Sequence, residues 1–252
     1  MRVKDVYDRI DAFAPFASQA DFDCSGLQVG APEAEVTGVL LAVDLTPAVI
    51  EEAVAQGCNL IVTHHPAIWG SIGCVREDDY TGRLVAMLIR KDLHYIAAHT
   101  NVDNCAGGNS ERLVALLGGE VTGRLEEDTY AVTFRLSPTR LSDLLKRVQT
   151  TLDDPVAYMV GEDDMLTSGA LCTGAGADDR TVAATVEKGL VYLSGEFKHH
   201  QLRYAEQNKG HLICFGHFTS EKIFVTIIKE LLQDAVKTVD SCQDNPCKTG
   251  KE

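Results

Sequence analysis

The spacing of apolar positions changes period in an orderly way along the chain, and the change predicts alternating helices and strands. Residues 3, 6, 7, 10 and 13 are apolar, the stripe of a helix over Val3–Phe13. Residues 36–43 form an almost unbroken apolar run, which suits a strand covered on both faces. Thr46-Pro47 predicts a helix start, with Thr as cap and Pro at the first helical position, running to Ala55. A buried strand over 59–63 follows, then a helix over 81–90 and a strand over 93–98. A short helix capped by Asn109 or Ser110 ends near Leu117. This order argues for a layered α/β unit with a mostly parallel sheet.

The polar stretch 118–128, rich in Gly and Glu, is the candidate boundary, giving two α/β lobes over 1–124 and 125–252. The second series predicts a strand over 130–136, a helix over Leu141–Leu152 capped by Thr139, and strands over 156–160 and 170–173. A helix over 178–188, a strand over 190–193, a helix over 198–208 and a strand over 211–215 follow. Thr219 is expected to cap a long helix ending near Leu232, and the polar chain past Asp240 to be a loosely held tail.

Composition narrows the function. Apolar residues make up 45% and charged residues 24%, ordinary values for a globular protein. The longest apolar run falls well short of the ~20 residues of a membrane helix, and Met1-Arg2-Val3-Lys4-Asp5 opens no signal segment. A soluble, cytoplasmic protein with no membrane partner is expected. The net charge of −14 disfavours nucleic acid as a partner. Eight cysteines form no CxxC pair; Cys58, Cys172 and Cys214 lie in or beside apolar runs, so reduced thiols are expected.

Candidate chemistry lies with histidines at strand ends. His64-His65 directly follows the run NLIVT, and His99 directly follows LHYIAA with Asp103 four residues on. His217 follows HLICFG, and Glu221 is expected in the first turn of the next helix, where the dipole would keep it ionised. In parallel α/β folds ligands collect at the carboxyl ends of strands, and imidazole with carboxylate is the usual donor set for Zn, Fe, Mn or Co. Competing readings are a loop hydrogen bond between His99 and Asp103 and a capping role for Glu221. His64 and His65, pointing opposite ways in extended chain, would serve two neighbouring ions unless the chain turns. Gly174-Ala175-Gly176 reads better as a tight strand-to-helix turn than as an anion cradle. Trp69 is a candidate pocket wall or base-stacking residue, and Glu196, Lys198, His199 and His200 form a further strand-end cluster.

Several segments, in order, resemble one known family: SGLQVG from Ser25, THHP from Thr63, HTNVD from His99, Ser194-Gly195-Glu196 with Lys198 and His200, and GHFTSE from Gly216. The chain is similar over about residues 3–232 to the NIF-three-like proteins, also called GTP cyclohydrolase I type 2 homologues. The resemblance implies two α/β lobes of partly similar topology, two divalent metal ions in a cleft between them, and a ring-shaped homohexamer. By position it implies His64, His65, Asp103, His217 and Glu221 as ligands, Glu221 bridging, with His99 and His200 as nearby water-handling groups. It also implies attack on C8 of the guanine ring of GTP with release of formate, or else a non-enzymatic, metal-binding scaffold. This chain has Asp23-Cys24 where the family often has Asp-Asn, and Gly195-Glu196 where it usually has Gly-Asp. It also lacks the inserted domain of longer relatives.

Overall fold

A computed structural model describes residues 1–126 and 130–248. The end of the candidate boundary and the last residues of the polar tail lie outside the described residues. In chain order the elements are α1 (Val3–Phe13), β1 (Gly26–Val29), β2 (Val39–Ala42), α2 (Pro47–Ala55), β3 (Leu60–Thr63), α3 (Tyr80–Arg90), β4 (His94–Ala97) and α4 (Thr100–Asn104). Then come α5 (Asn109–Leu116), β5 (Glu120–Arg124), β6 (Val132–Arg140), α6 (Leu141–Leu152), β7 (Tyr158–Val160), β8 (Met165–Cys172) and α7 (Asp179–Glu187). The series closes with β9 (Val191–Ser194), α8 (His199–Gln207), β10 (His211–Cys214), α9 (His217–Glu221), α10 (Ile223–Leu232) and β11 (Thr238–Asp240).

The chain falls into two compact units. One is Met1–Gly108 with Phe224–Asp244; the other is Asn109–Ile223 joined by a short piece beginning at Asn245. This division differs from a single cut after Arg124, because the chain returns to the first unit through most of α10 and through β11. The reason lies in packing: Phe224, Ile228 and Leu232 share a fully buried cluster with Val3, Val6 and Ile10 of α1 and with Leu41 and Val62 of the sheet. The opposite face of the same sheet buries Leu40, Ile61 and Tyr95 against Ile50 of α2 and Leu84 and Leu88 of α3. Successive residues of β2 thus serve two cores, which is why its sequence reads as continuous apolar rather than alternating.

The first sheet has the order β1-β4-β3-β2-β11, parallel except for β1. The second has the order β5-β6-β8-β9-β10-β7, in which only β8, β9 and β10 run parallel to one another. The expectation of mostly parallel pairing therefore fits the first sheet and half of the second. Each unit is built around three consecutive parallel strands joined by two helices, β2-α2-β3-α3-β4 and β8-α7-β9-α8-β10, with an antiparallel strand beside the third. That is the partly similar topology expected.

Local capping is as predicted at α2, where the Val49 N–H donates to Thr46 Oγ1 at 3.2 Å, but not at α6. Thr139 belongs to β6 and donates to the Ser137 carbonyl at 2.7 Å, while Asp163 Oδ1 accepts from the Ser142 N–H at 2.8 Å and satisfies the helix start. All eight cysteines are free thiols, with Cys58, Cys105, Cys172 and Cys214 buried. No described helix is long and apolar enough to cross a membrane.

Candidate metal centre

In the first unit, β3 pairs Thr63 with Ala42 on one side and Ala97 on the other. The chain therefore leaves three neighbouring strands at one level, carrying Asp44 from β2, His64 and His65 from β3, and His99 from β4. The chain bends after Thr63, so the rings of His64 and His65 lie together with centroids 5.1 Å apart. One ring nitrogen from each of His64, His65 and His99 lies within 4.8 Å of the others. His64 Nε2 is 3.6 Å from Asp103 Oδ2, and the His64 side chain is completely buried. His99 is the N-cap residue of α4 and Asp103 lies within that helix, an i, i+4 pair, with Asp103 meeting His64 rather than serving only as a loop hydrogen bond.

His64 and His65 are each held by a hydrogen bond at Nδ1, and His99 turns its Nδ1 to a carboxylate. His65 Nδ1 donates to Asp44 Oδ1 at 2.7 Å, and His64 Nδ1 donates to the Ala98 carbonyl at 3.1 Å. His99 Nδ1 lies 3.1 Å from Asp23 Oδ1. A carboxylate or carbonyl can only accept, so the Nδ1 of a neutral ring carries the proton and Nε2 keeps a lone pair for a cation. Burial would raise the Asp23 carboxyl, but its contacts with His99, Thr100 and the Cys24 N–H hold it well below the usual range.

In the second unit the register pairs Cys172 with Ser194 and Ser194 with Cys214, so the turns after β8, β9 and β10 also begin level. They carry Gly174, Glu196 and His217. His217 Nδ1 donates to Glu196 Oε1 at 2.7 Å, and His217 Nε2 lies 2.9 Å from Glu221 Oε2. The pattern at Nδ1 is thus repeated. His217 and Glu221 are again an i, i+4 pair on a short helix after the third parallel strand, as His99 and Asp103 are in the first unit.

Three expectations need correction here. Glu221 is not in the first turn of a long helix: it ends the five-residue α9, whose N-cap is Gly216. Thr219 lies inside that helix and is no cap, and the dipole argument for an ionised Glu221 falls with it. Gly174, by contrast, is the tight turn expected: its N–H is spent on Ser220 Oγ at 3.0 Å. His200 is exposed, and its Nε2 shares a proton with Asp179 Oδ1 at 2.8 Å. Sequence reasoning also missed Asp44, and it gave Asp23 and Glu196 no part in orienting histidines. Asp44 closes its apolar strand just as His64 closes NLIVT, and that was the available signal.

The sequence profile of the Duf34/NIF3 (NGG1p interacting factor 3) family matches residues 1–246. The chain belongs to that family. It is 30% identical over 247 residues to a GTP cyclohydrolase 1 type 2 homolog of Clostridium acetobutylicum, covering 94% of this chain and 91% of the relative. A protein of the same name from Campylobacter jejuni is 29% identical, with 98% of each chain covered. The crystal structure of the Staphylococcus aureus hypothetical protein SA1388 superposes with a TM-score of 0.87 at 24% identity, over 98% of this chain and 99% of that one. Reduced HcgD from Methanocaldococcus jannaschii gives 0.86 at 24% identity, over 96% and 98%. The last two likenesses show a shared fold.

The SGLQVG segment of this NIF3-family chain supports the histidines. Ser25 Oγ accepts from the His99 N–H at 2.9 Å and donates to Asp23 Oδ2 at 3.1 Å. Gln28 Oε1 accepts from the N–H groups of Ala67 at 3.2 Å and Ile68 at 3.0 Å, while its Nε2 donates to the carbonyls of Cys24 at 2.8 Å and Ile68 at 2.7 Å. The Tyr95 hydroxyl donates to the His65 carbonyl at 2.9 Å from the other side. Gln28→Ala removes four hydrogen bonds and strands half-buried backbone groups, so a loss of about 2 kcal/mol is expected. Urea denaturation checks it, and an unchanged midpoint would show that water replaces the glutamine at no cost.

Proposed function

We propose that this protein is a dinuclear metal-dependent hydrolase acting on a nucleotide-type substrate, with His64, His65, Asp103, His217 and Glu221 as the ligands. The observation carrying this reading is the common arrangement of the three histidine ligands, whose Nδ1 atoms are held by the Ala98 carbonyl, Asp44 and Glu196 so that Nε2 is left to bind. The donor set fits: imidazoles and carboxylates suit Zn, Fe, Mn or Co, and Gly174 leaves the space that the Glu221 carboxylate fills. Bound divalent ions would supply Lewis acidity and lower the pKa of water toward neutrality. The chain's own part is to hold the Nε2 lone pairs of His64, His65 and His217 in fixed directions. His99, held by Asp23 at Nδ1, is left to exchange a proton at Nε2. The names of the relatives point to GTP as the first nucleotide to try, an analogy between proteins rather than a property of this geometry. A homo-oligomer, hexameric in the ring form the family resemblance suggests, and a cytoplasmic location belong to the same proposal; light scattering of the purified protein tests the ring.

Protein purified without chelator is expected to carry two metal equivalents per chain by elemental analysis. His64→Ala and Glu221→Ala should each lower that content and abolish nucleotide hydrolysis while far-UV circular dichroism is unchanged. Two bound ions with no turnover across nucleotides and phosphoesters would replace the hydrolase with a metal-binding scaffold.

A further inference from the structure

We propose that Trp69 is a stacking platform that receives a planar heterocycle, a purine base, beside the histidine cluster; this rests on the reading of that cluster as the reactive centre. Trp69 is the single tryptophan of the chain, and it is 53% exposed. About half of the indole is apolar surface left in water beside a polar cluster, an area that a flat ligand would bury. Its ring meets His99 edge to face, with centroids 5.4 Å apart and planes at 88°, which places the indole directly against the histidine cluster.

The backbone on both sides of the ring is tied down. Ile68 gives its N–H to Gln28 Oε1 at 3.0 Å and accepts from Gln28 Nε2 at 2.7 Å. The Gly70 N–H donates to Cys24 Sγ at 2.9 Å. An exposed aromatic carried on a pinned segment loses little conformational freedom when a flat ligand stacks on it, which is what a preorganised subsite requires. The charge of the chain points the same way. At −14 the chain opposes a polyphosphate at long range, whereas the uncharged ring of a nucleotide meets no such opposition, and every base offers a π-face.

Because Trp69 is the only tryptophan, its emission reports this subsite alone. Metal-loaded protein titrated with guanosine, which carries no phosphate, should show saturable quenching, and ribose should show none. In equilibrium dialysis Trp69→Leu should bind guanosine about tenfold more weakly or worse, and Trp69→Phe should retain most of the affinity. All three proteins should hold the same metal content by elemental analysis. Guanosine that leaves the emission unchanged, or binds Trp69→Leu as tightly as the parent, overturns the platform while the metal reading stands. Loss of metal from the parent protein itself would instead overturn the reading of the centre. Emission that shifts with protein concentration alone would show a second copy covering the indole, and would also overturn the platform.

Discussion

Gly174→Ala is expected to keep the second sheet and lose the metal. Gly174 has φ +64°, and a Cβ built there would stand 2.0 Å from Glu221 Oε1 and 3.0 Å from its carboxyl carbon. The left-handed backbone costs an alanine roughly 1–2 kcal/mol. The contact has a separate effect: the Glu221 side chain is only 5% exposed, so a displaced carboxylate has little room to settle elsewhere. If Glu221 is a ligand, the substitution moves it without changing its chemistry. Gly189 isolates the backbone penalty, since it has the same φ of +64° and nothing within 4 Å of its virtual Cβ. Gly189→Ala should therefore show the backbone penalty and full metal content. Gly174→Ala should show a larger loss of stability, the clash with Glu221 adding to the same backbone penalty, and at least the 10–100-fold loss of affinity typical when a ligand's orientation is disturbed. Isothermal titration with zinc and thermal melts measure the two. Equal zinc affinity in both variants would remove Glu221 from the ligand set.

The same residues show how much of the molecule its sequence makes legible. Elements whose local pattern and packing agree were readable to the residue: Val3–Phe13 by its stripe, Pro47–Ala55 by its cap, Leu141–Leu152 by its period. The strand-end histidines were readable because β3 and β4 are covered on both faces and end abruptly in polar residues. What escaped depends on distant partners. Glu120–Arg124 is polar and largely exposed, and is a strand only because Val121 pairs with Phe134 across the ladder. Gly26–Val29 is an edge strand with no fully buried position, so no apolar signal marks it. Thr219 looked like a cap because the break between α9 and α10 has no Gly or Pro to announce it. The pairing of Asp44 with His65 joins residues 21 apart, visible only once β2 and β3 lie side by side in register.

Phe224→Ala should be the most destabilising substitution discussed, and it should weaken metal binding too. Phe224 is fully buried in the cluster shared by α1, the first sheet and α10, and its ring lies 5.1 Å from that of His64 at 44°. Removing a buried phenyl ring costs about 3–5 kcal/mol, part transfer energy and part the cavity left behind. Phe224→Leu keeps most of the volume and should cost about 1 kcal/mol. The cavity matters for the centre because the wall formed by Phe224 restrains His64 alongside the hydrogen bond from Nδ1 to the Ala98 carbonyl. With the wall gone the imidazole can tilt about that hydrogen bond, so Nε2 no longer keeps one direction. The alanine variant, studied in urea-free buffer well below its melting temperature, should bind zinc about tenfold more weakly, with Phe224→Leu close to the parent. A variant destabilised by the full amount yet binding zinc unchanged would mean that Phe224 takes no part in aiming His64 and serves only the core.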